Sequence, residues 1–232
     1  MKFFPLNSSI VQKLRHSHPA LKGRRLLDSG KFSGIFEGST ENSVFKLSID
    51  KASYIFNTKS DYNSTNQHFI KLNKDYGQVG IYALHHNIRQ SKATLTNLTQ
   101  VPIYLYEVEK LYKITTNTKN YELAQHLVNN WQKFHGLSCS KDLNNSIVSF
   151  VSHLKHLNSD QQYSDTIINA LENVANFISR YAKESAFTDL HSSNMMQRND
   201  GTFVFSDPIA DFQIYSHFYL TFNSFSFKSN YS

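Results

Sequence analysis

Short stretches of alternating hydrophobic and polar residues mark the first quarter of the chain. Apolar residues cluster at 26–27, 35–36 and 44–49, and they are separated by a glycine-containing turn at 30–34 and a polar turn at 39–43. A period of two places successive side chains on opposite faces of a strand. The stretch 24–50 therefore predicts strands joined by turns, and the β-branched and aromatic residues of 103–108 predict a further strand.

A helical period replaces this alternation from residue 121 onward. Leu123, Leu127, Trp131 and Phe134 recur every three or four residues, and the same spacing continues through 143–157 and 167–181. Such spacing is typical of amphipathic helices that bury one face. Residues 51–99 are polar, with a helical tendency but no clear period. An irregular stretch at 189–194 precedes an apolar strand at 202–205.

The order of these elements predicts the fold class and its division. A β-rich front followed by a helical rear is typical of an α+β fold. We expect an N-terminal extension over 1–23, a nucleotide-binding sheet lobe over 24–110, and a helical lobe with the catalytic and metal-binding loops over 111–232.

Composition narrows the class of protein further. With 40% hydrophobic and 14% aromatic residues among 232, the chain has enough apolar material for a core, which excludes wholesale disorder. The net charge of +6 favours anionic partners without choosing among them. Cys139 is the single cysteine, which excludes an internal disulfide and a cysteine-based zinc cluster and favours a reducing compartment. Neither a signal peptide nor a membrane segment is expected.

Two features of the front half are candidates for binding phosphate. In the turn 30–34, Gly-Lys-Phe-Ser-Gly, the glycines would let backbone N–H groups approach a phosphate chain, and Phe32 would shield it. A plain hairpin with loop glycines explains the same residues. Lys46 interrupts the apolar strand 44–47, where it either meets an anion or lies on the solvent face of an alternating strand.

A third feature carries more specific chemistry. Asp189 is followed by Asn194 five residues later and by Asp207 thirteen residues after that. Phosphoryl transfer needs an aspartate that orients and deprotonates the acceptor hydroxyl, and an asparagine and a second aspartate that hold Mg²⁺. Because a hairpin joins the two segments, we expect all three side chains at one edge of a small sheet.

These motifs together resemble the protein-kinase-like superfamily over residues 24–212. The sequences GKFSG at 30–34, VFKL at 44–47, FTDLHSSNMM at 187–196 and FSDP at 205–208 are most similar to the early serine/threonine protein kinases of lytic podophages. Those kinases are similarly short, and they carry Asp-Pro where most kinases have Asp-Phe-Gly. The resemblance implies a minimal two-lobed protein-kinase-like fold, with a β-rich N-lobe and a reduced helical C-lobe.

The resemblance also implies a role for each matching residue. Asp189 would be the catalytic base, Asn194 and Asp207 would hold Mg²⁺ or Mn²⁺, and Lys46 would contact the α- and β-phosphates of ATP. His191 stands where many protein kinases carry a lysine near the γ-phosphate, although a hydrogen-bonded loop residue fits it equally. Residues 107–111 would form the hinge that meets adenine through backbone groups. The remaining implied ATP-binding residues are Gly30, Lys31, Phe32, Ser33, Gly34, Glu107 and Glu109.

Three departures from the kinase pattern affect regulation. No glutamate occurs between Glu41 and Glu107, so the usual helix partner of the strand lysine is missing, and the candidates to replace it are Asp50, Asp61 and Asp75. Thr188 stands where regulated kinases have arginine. Since 25 residues follow Asp207 (232 − 207), the usual activation segment is not expected. Gating by loop phosphorylation is therefore not expected either.

The resulting expectation is a kinase that transfers the γ-phosphate of ATP to host proteins of transcription, RNA processing or translation, and to itself, in the host bacterial cytoplasm. Nucleic acid is not expected as a direct ligand. One alternative is a small-molecule kinase of the aminoglycoside or choline type, although the helices carry few of the acids that cationic acceptors need. The other is a pseudokinase-like inhibitor that binds a host or defence protein, which the missing glutamate favours.

Overall fold

The computed structural model describes residues 8–59, 61, 65–90, 93–137, 143–157, 163–181 and 185–215. Their elements are mixed α and β, with a mostly antiparallel main sheet, which confirms the predicted α+β class. The helices are α1 Ser9–Ser17, α2 Lys51–Lys59, α3 Lys119–Leu137, α4 Leu143–Leu157 and α5 Asp165–Tyr181. The strands are β1 Leu26–Ser29, β2 Ser33–Glu37, β3 Ser43–Ser48, β4 Leu72–Gln90, β5 Ala93–Glu109, β6 Tyr112–Lys113, β7 Ala186–Thr188, β8 Met195–Gln197, β9 Phe203–Phe205 and β10 Ile209–Asp211.

The main sheet has five strands in the order β1-β2-β3-β5-β4. β1 and β2 are antiparallel neighbours, and the predicted glycine-containing turn joins them. β2 and β3 are also antiparallel, with Ile35 opposite Lys46 and Phe36 opposite Phe45. The three strands predicted within 24–50 are therefore confirmed, and so is the strand predicted over 103–108, which lies inside β5.

The helical tendency predicted for residues 51–99 is correct for α2 and wrong for most of the rest. Residues 72–90 and 93–99 belong to the long strands β4 and β5. Pairing between strands decides the conformation here, since β-structure depends more on neighbouring strands than on local preference. Within β4, Gly77 has a φ of 74° and donates its N–H to Asp75 Oδ1 at 2.8 Å. A positive φ of this kind favours glycine.

The chain divides into two compact units. The described residues of Met1–Lys51, Lys74–Glu107 and Asp211–Ser232 form unit 1, and those of Ala52–Asn73 and Val108–Ala210 form unit 2. Each unit thus combines separate stretches of the chain, which the sequence analysis does not anticipate.

The core of unit 1 lies on the main sheet, and α1 covers part of it. A Cβ atom on Gly80 of β4 would lie 3.5 Å from side-chain atoms of Ile10 and Leu14, which places α1 against this strand. The fully or nearly buried apolar residues of this core are Val11, Leu14, Ala20, Leu21, Phe36, Phe45, Leu47, Ile49, Val101, Ile103, Leu105 and Ile214.

The core of unit 2 lies among α2 and the three long helices. The helices predicted over the rear half are confirmed, and Trp131 packs edge-on to Phe150 at 5.1 Å between ring centroids. The ring of Phe56 on α2 contacts Phe177 on α5 at 5.1 Å, so α2 is part of this core. Aromatic pairs in edge-on geometry stabilise a core beyond the area that they bury. Within the described ranges, no helix is long and apolar enough to cross a membrane.

Candidate functional site

Two loops of unit 2 carry the Asp189, Asn194 and Asp207 set. The first follows β7 and ends in a 3₁₀ turn, Ser192–Asn194, and the second follows β9. The N–H of Asp189 donates to the carbonyl of Pro208 at 2.9 Å, and the N–H of Ser206 donates to the carbonyl of Asn194 at 2.8 Å. These two backbone hydrogen bonds hold the loops side by side, next to the hairpin of β8 and β9.

The side chain of Asn194 is oriented by Asp189. Its Nδ2 donates to Asp189 Oδ2 and to the Asp189 carbonyl, both at 3.0 Å. Among the described residues, both hydrogen bonds of this side chain are made by the amide nitrogen. The amide oxygen therefore remains available as an acceptor. The Asp189 side chain is 27% exposed, so its carboxylate is accessible to a ligand.

His191 lies beside the same carboxylate. Its Nε2 is 3.4 Å from Asp189 Oδ1, and its Nδ1 is 2.6 Å from the hydroxyl of Ser193. The side chain is 48% exposed. His191 is therefore a hydrogen-bonded loop residue, and a role near the γ-phosphate stays a prediction.

Asp207 has a partner that the sequence analysis misses. The hydroxyl of Ser53 on α2 donates a hydrogen bond to Asp207 Oδ1. Ser53 is buried, and Asn57, one turn later, donates its Nδ2 to the Ser53 carbonyl at 2.9 Å. The sequence signal is weak, since it consists of two polar residues four apart on the buried face of a short helix.

The acids considered as replacements for the missing helix glutamate lie in different places. Asp50 is buried just before α2, and its Oδ2 accepts from the Asp211 N–H at 3.1 Å. Asp75 bonds within β4, and Asp61 is exposed beyond the end of α2. Which of them replaces the glutamate stays a prediction. On α2 itself, a serine, Ser53, contacts Asp207.

Lys46 is buried in unit 1. All six residues of β3 are buried and Lys46 is 6% exposed, so the solvent-face alternative for this lysine is wrong. Its Nζ lies 5.9 Å from the centroid of the Tyr106 ring. An ammonium group in a dry site is costly without compensation, and an aromatic face supplies part of it. Burial of this charge is compatible with an anion-binding role, which stays a prediction.

The glycine-containing turn is a hydrogen-bonded hairpin. The Gly30 N–H donates to the Ser33 carbonyl at 2.9 Å, and the Phe32 carbonyl accepts from the Ile49 N–H at 3.0 Å. The ring of Tyr215 contacts the tip of the turn, with its centroid 5.4 Å from Lys31 Nζ and 6.3 Å from the Phe32 ring. The hairpin alternative therefore describes its conformation, and a lid over phosphates stays a prediction.

The carboxylate of Glu107 holds the turn between β2 and β3. Its Oε1 accepts from the Ser39 N–H, the Ser39 hydroxyl and the Ser43 hydroxyl, each at 2.6 Å. Burial by itself raises the pKa of Glu107, but these hydrogen bonds outweigh it and the pKa lies below its ordinary value. Gly38 is required in the turn, because a Cβ atom there would lie 2.2 Å from Ser43 Oγ.

Glu109 has a similar internal role in unit 2. Its carboxylate accepts from Arg198 Nε at 2.8 Å and from Arg198 Nη2 at 2.6 Å. The same guanidinium donates to the carbonyls of Gln67 and Phe69, so it joins three segments of the unit. Both predicted hinge glutamates thus use their side chains within the protein. Contact with adenine through their backbone groups, as the resemblance implies, stays a prediction.

Comparison with known proteins adds no assignment. No protein-family model, no curated protein and no solved structure matches this chain.

Proposed function

We propose that the protein is an ATP- and Mg²⁺-dependent serine/threonine protein kinase of the phage type, which modifies host proteins in the bacterial cytoplasm. The observation that carries the proposal is the hydrogen bond from Asn194 to Asp189, beside the loop of Asp207. Because Asn194 donates through its nitrogen, its amide oxygen faces no partner in this bond, and the carboxylates of Asp189 and Asp207 lie on adjacent loops. Amide and carboxylate oxygens of this kind are the donor set of a phosphoryl-transfer site.

In this proposal the loops of unit 2 supply the metal ligands and the catalytic base. Mg²⁺ prefers oxygen ligands and is commonly held by one or two carboxylates together with substrate phosphates. Asn194 Oδ1 and the Asp207 carboxylate would hold it, and the ion when bound would neutralise charge on the phosphates. The Asp189 carboxylate would accept the proton of an acceptor hydroxyl, a role that its partial exposure allows.

The order of parts along the first 59 residues supports the same proposal. A glycine-containing turn joins the first two strands, a buried lysine lies on the third, and α2 follows that strand. Protein kinases carry their glycine-rich loop, strand lysine and helix in this order. In this proposal the turn 30–34 and Lys46 contact the phosphates of ATP.

A second candidate is a pseudokinase that binds ATP and a host or defence protein without transfer. Ser53 favours this candidate, because it lies on α2 and contacts Asp207 through a neutral hydroxyl. Kinases carry on the corresponding helix a glutamate that pairs with the strand lysine. It predicts stabilisation of the chain by ATP and Mg²⁺ without any phosphorylated product.

The test is phosphate transfer by the purified full chain. It would be incubated with γ-labelled ATP, Mg²⁺ or Mn²⁺, and either bacterial extract or dephosphorylated casein. We expect labelled protein with the wild type and none with Asp207→Ala. Asp200→Ala is the matched control, because Asp200 is exposed at the turn of the same hairpin and bonds to the Thr202 N–H.

The possible results separate the two candidates. Transfer that survives in Asp207→Ala would overturn the assigned metal site. Binding of ATP in the presence of Mg²⁺, seen as a rise in unfolding temperature without transfer, would support the pseudokinase. Neither binding nor transfer with either metal would overturn both candidates.

A further inference from the structure

Three side chains of the loop after β7 form a continuous chain of contacts. The Ser193 hydroxyl lies 2.6 Å from His191 Nδ1, and His191 Nε2 lies 3.4 Å from Asp189 Oδ1. Ser193 and His191 are both exposed. A hydroxyl next to a base that is itself oriented by a third group is the general arrangement of an activated nucleophile.

The contacts of His191 favour one tautomer of its neutral form. An ionised carboxylate can accept but not donate, so the nitrogen facing Asp189, Nε2, is assigned the hydrogen. Nδ1 then carries the lone pair, and it accepts the hydroxyl hydrogen of Ser193. The Asp189 carboxylate would also stabilise the imidazolium that forms when His191 takes up that proton.

We propose that Ser193 is a phosphorylation site that this chain modifies itself, with His191 as the base. This inference rests on the proposed kinase function and names a particular acceptor for it. Ser193 Oγ forms a bond to the γ-phosphorus of ATP, the bond from that phosphorus to the bridging oxygen of ADP breaks, and the hydroxyl proton passes to His191 Nδ1. ADP leaves with the bridging oxygen. The products are phosphoserine 193, ADP and a protonated histidine.

The surroundings favour a phosphoryl group over an acyl group as the electrophile. Acyl transfer needs backbone N–H groups aimed at a developing oxyanion. In this loop the N–H groups of Asp189, Asn194 and Met195 are bonded to the carbonyls of Pro208, His191 and Ser192, so these three do not form such a site. The neighbouring carboxylates would also repel an oxyanion, whereas they suit a phosphate that arrives with a divalent cation.

The geometry also distinguishes Ser193 from its neighbour. Ser192 is also exposed and is one residue nearer to Asp189 in the sequence, but the hydroxyl bonded to the imidazole is that of Ser193. Ser192→Ala is therefore a matched control that removes a hydroxyl from the same turn and leaves the His191 contact in place.

The experiment is phosphosite mapping by mass spectrometry after incubation with ATP and Mg²⁺, with casein as a second acceptor in the same tube. We expect phosphate at residue 193 in the wild type and in Ser192→Ala, and its loss in Ser193→Ala. In His191→Ala, phosphate at Ser193 should form about a hundredfold more slowly relative to transfer onto casein, because a positioned base contributes at least that much. Circular dichroism of each variant confirms that it is folded.

The outcomes keep this inference separate from the proposed function. Phosphorylated casein without phosphate at residue 193 would overturn the inference and leave the kinase in place. An unchanged ratio of Ser193 to casein labelling in His191→Ala would overturn the role of His191 as base. If no transfer occurs, labelling of Ser193 by a fluorophosphonate, lost in His191→Ala, would show a nucleophile for acyl chemistry and overturn both proposals. Absence of every reaction would also overturn both.

Discussion

Asn194 Nδ2 donates a hydrogen bond to Asp189 Oδ2 at 3.0 Å, which joins the first and last residues of the Asp189–Asn194 loop. Replacement by alanine removes this donor and also the amide oxygen proposed as a metal ligand. We expect Asn194→Ala to reduce phosphate transfer by at least about a hundredfold, the usual effect of losing one group that stabilises developing charge.

Asn194→Asp separates the loss of the Nδ2 hydrogen-bond donor from the loss of the oxygen ligand. It keeps an oxygen ligand but places a second carboxylate against Asp189, and like charges at this distance repel. We expect a lower unfolding temperature for Asn194→Asp than for Asn194→Ala, measured by thermal denaturation without nucleotide. Asn199→Ala, in the exposed turn of the neighbouring hairpin, is the control. Full activity in either variant at 194 would contradict the assignment of Asn194.

The hydroxyl of Ser53 orients the carboxylate of Asp207, so its loss should weaken metal binding more than folding. Groups that hold a metal ligand in place typically contribute about 10- to 100-fold to metal affinity. We expect Ser53→Ala to need about tenfold more Mg²⁺, or more, for ATP to raise the unfolding temperature. Thr58→Ala is the control, since Thr58 lies on the same helix and bonds to the Tyr54 carbonyl. Equal Mg²⁺ dependence in both variants would contradict the role of Ser53.

Glu107 should stabilise unit 1 in a pH-dependent way. Its pKa lies below the ordinary value of 4.5, because the hydrogen bonds from Ser39 and Ser43 outweigh the effect of burial. The folded state therefore holds fewer protons, so the stabilisation is present above pH 4.5 and is lost as the pH falls through the folded-state pKa. Hydrogen bonds to a charged group contribute about 1.5–3 kcal/mol each.

The measurement for Glu107 is urea denaturation of Glu107→Gln and wild type at pH 7 and at pH 4. We expect the variant to be less stable at pH 7 and the difference to shrink at pH 4. Glu41→Gln, at an exposed position of the same turn, should match the wild type at both pH values. A difference that is constant with pH would show that the charge of Glu107 is not what holds the turn.

His68 should make unit 2 less stable in mild acid. It is buried, with Nδ1 2.8 Å from the Phe203 carbonyl and Nε2 2.9 Å from the Thr166 hydroxyl. Burial lowers the pKa of His68 below the ordinary 6.5, and nearby Arg198 adds to this, while the hydrogen bond to the Phe203 carbonyl opposes it. The unfolded chain therefore binds more protons, so stability is lost as the pH falls from 6.5 toward the folded-state pKa.

The substitution that checks this is His68→Gln, with His126→Gln as an exposed control. We expect the urea midpoint of His68→Gln to change less than that of the wild type between pH 7.5 and pH 5. These two pH values lie on either side of the ordinary histidine pKa of about 6.5. The control should follow the wild type. An identical pH dependence in all three proteins would contradict the prediction.

The ring of Tyr215 should restrict the glycine-containing turn, because it contacts Lys31 and Phe32 at the tip. An exposed cation–π contact contributes about 0.5–1 kcal/mol. Its loss should raise the fraction of molecules in which the turn 30–34 is accessible to a protease by about two- to fivefold. We expect trypsin to cleave after Lys31 faster by this factor in Tyr215→Ala. Phe212→Ala, which removes an exposed ring three residues earlier in the chain, should leave the rate unchanged. Equal rates in all three would contradict the contact.

Much of the fold follows from short-range patterns in the sequence. The period of two over 24–50 and the period of three to four from residue 121 predict β1, β2, β3 and the three long helices, because both signals come from residues that are close in the chain. The loops of Asp189 and Asp207 are also predictable, since one hairpin separates them. In contrast, β4 has no clear period of its own, and it becomes a strand by pairing with β5.

By itself, the sequence determined the α+β class, the positions of most elements and the residue types of the candidate site. Tertiary structure decided the contacts between residues far apart, such as Ser53 with Asp207 across 154 residues and Arg198 with Glu109 across 89. It also decided that Lys46 is buried rather than on a solvent face. Local periodicity shows which face of an element is apolar. The hydrogen-bond partner of each polar side chain, however, depends on chain segments that meet only after folding.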